Sequence, residues 1–147
     1  MGRAILAIVI SYVAMLVLAF IAFTCAFLLF GSEVAFRPGT YETSTAWVAV
    51  AFAINIVDAI IGGFICVLIA KRGRAQLGLA IVVIVLGLLV AFADTRKRDA
   101  NVGLVRAAET PKMEAIQKAY WPVWVPFALP FTGAVGVLIG AKLKRPS

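Results

Sequence analysis

Four apolar stretches divide this chain, at roughly residues 4–30, 47–70, 75–93 and 120–141, and no Lys or Arg falls inside any of them. A helix needs about 20 predominantly apolar residues to cross the hydrocarbon core of a bilayer, so each stretch matches one crossing. With 63% hydrophobic and 14% charged residues, and a mean hydropathy of +1.04, the chain is too apolar for a soluble domain. The expected fold class is an all-α membrane protein. It is a four-transmembrane-helix up-down bundle, a single transmembrane domain over residues 1–147. The first stretch follows Arg3 as a signal peptide would, but it is longer than a secretory apolar core and lacks a small-x-small cleavage site. Ala22-Phe23-Thr24-Cys25 is also a poor lipoprotein box. A retained first helix is expected.

Four crossings place both termini on one side. That side carries Arg3, Lys71, Arg72, Arg74, Lys142, Lys144 and Arg145; the other carries Arg37, Arg96, Lys97, Arg98, Arg106, Lys112 and Lys118. The positive-inside count is a tie. The terminal set is nevertheless packed into short segments without acids, whereas Glu33, Glu42, Asp94, Asp99, Glu109 and Glu114 all lie opposite. The expectation is a multi-pass protein of the cell membrane with both termini in the cytoplasm. Its partners would be the lipid bilayer, whose anionic headgroups meet "KRGR" and "KLKR". Nucleic acid is not an expected partner, because the basic residues hug membrane ends without interleaved aromatics.

The connections are short except for one. In the first, Pro38-Gly39 marks a tight turn, and Ser44 or Thr45 can cap the second helix. The second, "KRGR", is only a hairpin turn, which predicts that helices two and three are antiparallel neighbours. The third, residues 94–119, contains Thr110-Pro111, a helix start, with Met113, Ile116, Gln117 and Tyr120 on one face. It predicts a short interfacial helix before helix four, either separate from it or a capped extension of it.

Chemistry is constrained first by what is missing. There is no histidine, which removes the commonest general base and most metal sites, so no enzyme activity, metal or cofactor is expected. Cys25 and Cys66 lie near the far ends of oppositely directed helices, too distant for a disulfide, which needs Cα atoms within about 7 Å. Both read as buried small apolar residues. That argues against a quinone-coupled thiol oxidoreductase.

One carboxylic acid remains inside the apolar stretches: Asp58, central in "INIVDAIIGG". An Asp at mid-bilayer costs roughly 2.5–3.5 kcal/mol on insertion scales and is by default a functional hypothesis. With no basic partner in any span, it is expected to be neutral and able to donate a hydrogen bond. At about 100° per residue, Ser44, Ala51, Asn55, Asp58, Gly62 and Cys66 share a narrow arc that should face other helices.

The fourth stretch offers a complementary face. Pro122, Pro126 and Pro130 recur every four residues, followed by Gly133, Gly136 and Gly140. Interior prolines would free the carbonyls of Pro122 and Pro126, which need new partners in lipid. Thr132 lies at about the depth of Asp58. A protonated Asp58 bonded to Thr132 or to the Pro126 carbonyl would satisfy both, and Asn55, Asp58 and Thr132 form the candidate intramembrane polar site. Gly62, the three prolines and the three glycines are the candidate kink and packing positions.

Helix one has a stripe of Ala7, Ser11, Ala14, Leu18, Ala22 and Cys25 for close packing. Helix three, without a polar side chain from Leu77 to Ala93, is expected to be the most lipid-exposed. Trp47, Tyr120, Trp121 and Trp124 are read as interfacial anchors.

The layout of "FRPGTYETSTAW", "GGFICVLIA" and a glycine-bearing last helix ending in basic residues resembles small bacterial four-helix integral membrane proteins. That resemblance implies a bacterial inner membrane and no particular activity. Small multidrug transporters share the helix count and a single buried acid, but carry it in their first helix. A proton-translocating ring subunit has the wrong number of helices. Two functions follow from the residues: a structural or accessory membrane protein, as a homo-oligomer or in a larger complex, or a small proton-coupled transporter or channel using Asp58.

Overall fold

In a computed structural model, which describes residues 2–71 and 74–144, the chain forms five helices: α1 (Gly2–Ala35), α2 (Thr45–Ala70), α3 (Ala75–Asn101), α4 (Lys112–Lys118) and α5 (Val125–Lys144). All but α4 are long and apolar enough to cross a membrane. The all-α four-helix bundle is therefore present. Arg72 and Gly73 of the "KRGR" turn, and Arg145, lie outside the described residues.

Element ends follow local chemistry. Gly31, at φ 74° and ψ 175°, breaks α1 one residue after the apolar stretch ends; that backbone region is essentially restricted to glycine. Ser44 caps α2, its Oγ accepting from the Trp47 amide at 3.1 Å and its hydroxyl donating to the Val34 carbonyl. Beyond the expected end at Ala93, α3 continues for two turns through the charged run Asp94–Asp99, placing Arg98 against its C-terminal dipole. Gly103, at φ 89°, then turns the chain away.

The start of the last span is also shifted. Tyr120 is held in a bridge to Glu42, and Pro122 keeps its preceding residue extended. The α5 helix therefore opens at Val125, and Pro122 lies outside it. The short helix α4 is separate, so the extension alternative does not hold. Pro111 rather than Thr110 occupies its cap position, and the Thr110 hydroxyl donates backwards to Ala107 O at 2.8 Å. Ala115 is buried against the cap, while Met113, Ile116 and Gln117 of the expected common face are exposed and Tyr120 lies beyond the helix end, buried.

Around the bundle the helices run in the order α1, α2, α5, α3. Despite their minimal link, α2 and α3 touch only slightly, which corrects the neighbour expectation. The physical reason is α5, whose small residues let it approach between them. Since alternate spans run in the same direction, α2 and α5 are parallel, and their seam is the most extensive in the molecule. A methyl group on Gly140 would fall on the Ile60 carbonyl, one on Gly63 on the Val137 carbonyl, and one on Gly136 would meet Ala59 Cβ at 2.7 Å. Small residues are the means of close approach where lipid removes the hydrophobic drive. On the other flank Pro130 packs into α3, where a methyl on Gly87 would lie 2.5 Å from its Cγ. Gly62 instead faces Met15 of α1.

The least buried span is α1, not α3, because α3 packs along α5 while α1 touches mainly α2. The small-residue stripe of α1 is buried only at Ala7 and Ser11, while Leu18 and Cys25 are exposed. Cys66 is buried, and both cysteines are free.

Opposite the termini, the first and third connections fold together into a cap. An Arg37–Thr40 turn carries Gly39 at φ 70°; Thr43 N donates to Tyr120 O and Tyr120 N to Tyr41 O at 3.0 and 3.1 Å. Arg106, 6% exposed, pins the turn, its Nε donating to Thr40 O at 3.0 Å and its guanidinium 5.4 Å above the Phe36 ring. Beneath it lie Trp47 and Tyr120, both buried and joined by Phe27 and Phe36. These two aromatics are cap core rather than interfacial anchors. Trp124 does face outward, stacked on Phe52 at 5.9 Å.

Candidate functional site: an unpartnered intramembrane carboxyl

Asn55 and Asp58 are three residues apart on α2, so they share a face but differ in height by about 4.5 Å. Across the seam, Pro130 sits inside α5 without an amide hydrogen to give to Pro126. Pro126 itself falls in the first turn of α5, where no donor is required, and the Pro122 carbonyl is satisfied by Val125 N at 3.1 Å.

The polar contact across the seam belongs to Asn55. Its Nδ2 donates to Leu129 O at 3.0 Å and to Thr132 Oγ1 at 2.9 Å, and the Thr132 hydroxyl donates to Leu129 O at 2.9 Å. The expected bond from Asp58 to Thr132 or the Pro126 carbonyl is not made. An amide has two donor hydrogens for two acceptors, a carbonyl and a hydroxyl, whereas a carboxyl has at most one. Gly133 admits the amide, with Asn55 Oδ1 3.4 Å from where its Cβ would stand.

Asp58 is 9% exposed, and its Oδ1 has no hydrogen-bond partner. It lines a cavity of about 220 Å³ reached by all four spans. Tyr12 enters from α1, Asn55 shares α2 with Asp58, and Asp94 enters from α3; α5 contributes Pro126, Leu129 and Pro130, none of them titratable. The wall therefore brings together two carboxyls, a phenol and an amide at the weakly packed α1–α3 side of the bundle.

Asp94 was not among the residues singled out from sequence, because it opens a charged run that reads as loop. Continuation of α3 places it on the stripe Val83, Gly87, Val90, Asp94, and that spacing was the available signal. Asp94 also lines a second, larger cavity of about 620 Å³ beneath the cap, so the two spaces share a wall residue. Among the described residues no three His, Cys, Asp or Glu side chains come together; the donors at Asp58 suit a proton or a weakly held cation better than a transition metal. No family model, curated protein or solved structure matches this chain.

Proposed function

We propose that this chain is a small, non-enzymatic membrane protein that binds and releases a proton at Asp58, as a proton-coupled transporter or channel. The observation that carries the reading is the unpartnered, buried Asp58 lining a cavity with Asp94. A carboxyl that served only to join helices would take the Thr132 contact; Asn55 holds it. Buried polar groups are normally satisfied, and an orphan needs a reason. A proton arriving under the cap meets Asp94 first and Asp58 next, beside a proline-interrupted helix of the kind that lines transporter sites.

In this reading the protein sits in the cell membrane with both termini, and the basic residues Lys71, Arg74, Lys142 and Lys144, in the cytoplasm against anionic headgroups. The cap then faces outward. The test is voltage-driven proton uptake into proteoliposomes that enclose a pH-sensitive dye. Wild type is expected to acidify the lumen well above empty vesicles, and Asp58→Asn to return to their level. Equal uptake by wild type and variant would sink the proposal.

A second reading, a structural or accessory protein acting as a homo-oligomer or in a larger complex, has one observation in its favour. The α2–α5 seam is closed by glycines and Asn55 and needs nothing from Asp58. It predicts co-purification with a partner and indifference to Asp58→Asn.

A further inference from the structure

The larger cavity has a composition unlike the Asp58 site. Its floor is aromatic, from Phe23, Phe27 and Trp47, and its polar edge carries Lys97 from α3 and Lys112 from α4. At about 620 Å³ it falls inside the roughly 300–1,000 Å³ range of small-molecule sites. Phe20 and Leu28, 74% and 66% exposed, form part of its wall. Both belong to the membrane-spanning part of α1, so the cavity borders the acyl chains of the bilayer itself.

Charge selects among lipids. Neither Lys97 nor Lys112 has an ion-pair partner among the described residues, and Lys97 makes only a 3.5 Å contact to Ile116 O. Two ammonium groups and a single carboxylate, Asp94, therefore line the cavity. Thr43 is a further wall residue, 3% exposed, and its Oγ1 has no hydrogen-bond partner. Long basic side chains at a membrane end reach the headgroup layer while their stems stay apolar, and anionic headgroups attract them.

We propose that the groove between α1, α4 and the cap is a binding site for one anionic phospholipid, its phosphate held by Lys97 and Lys112 and an acyl chain lying on Phe23 and Phe27. The lipid completes the fold where α1 and α3 part. It also places a phosphate beside Asp94, the wall residue shared with the Asp58 cavity.

Trp47 and Trp121 line the groove and report on it directly. The experiment uses the full chain carrying Trp124→Phe, which removes the outward-facing indole, in bilayers doped with brominated phosphatidylglycerol or brominated phosphatidylcholine. Several-fold stronger quenching by the phosphatidylglycerol is expected. Lys97→Gln with Lys112→Gln should abolish that preference, while Lys142→Gln with Lys144→Gln, at the opposite membrane end, should leave it. Equal quenching by both lipids, or a preference that survives the Lys97 and Lys112 changes, overturns the site. Protection from both lipids also overturns it, as when a second copy of the chain fills the groove.

Discussion

At the residue scale, Asn55 and Asp58 divide the work that their shared arc suggested they would do together. Removing the Asn55 amide deletes both bonds across the seam and leaves Thr132 and Leu129 bonded only within α5, and interhelical polar contacts of this kind are worth about 0.6 kcal/mol, rarely above 1.7. Asn55→Ala is therefore expected to destabilise the bundle by about 1 kcal/mol in reversible unfolding from mixed micelles. Asp58→Ala should be neutral or slightly stabilising in the same assay, since no bond is lost. The cap has its own titration. Burial, with Glu42 adding to it, raises the Tyr120 phenol above its usual value, and the Glu114 hydrogen bond raises Lys118. Groups raised by folding stabilise fully below their unfolded values and lose that contribution as pH climbs through the folded ones. The cap should hold through neutral pH and loosen above about pH 10, seen as a change in Trp fluorescence with no loss of helical signal.

Elements were legible where hydrophobicity decided them. Gly31 ends the first apolar stretch and Ser44 opens the second helix, both as local chemistry requires. Misplacement came where a distant contact set the boundary. The fourth span starts at Val125 rather than Tyr120 because Tyr120 is claimed by Glu42, and those five residues amount to about 7.5 Å of helix rise. That offset between two parallel helices decides whether Asn55 or Asp58 meets Thr132, and no single-helix pattern contains it. The seam itself makes a steric prediction. Gly63→Ala places a methyl on the Val137 carbonyl, and overpacking of this kind costs about 1–3 kcal/mol, measurable as earlier dissociation of helices in denaturing detergent. Gly31→Ala meets nothing within 4 Å, so its cost, also about 1–3 kcal/mol, is purely that of the backbone conformation.

For the whole molecule, the cap is the part that periodicity could least anticipate, since it joins residues more than sixty positions apart through Arg106. Arg106→Met keeps a buried apolar stem but removes the guanidinium from above Phe36 and the bond to Thr40. It is expected to speed hydrogen exchange of the Thr40 amide, bonded to Arg37 O in that turn, several-fold without altering the span content. Ring order has a consequence for how the protein is made. The first three spans emerge from the ribosome before α5 exists, yet among themselves α2 and α3 barely touch. Until α5 is inserted, the Asn55 amide and Gly63 have nothing to bind; α1 can already lie along α2, but α3 is held only loosely to either. The α5 helix is therefore the keystone of assembly, and a chain cut short before it would leave a polar, glycine-lined face for membrane quality control to recognise.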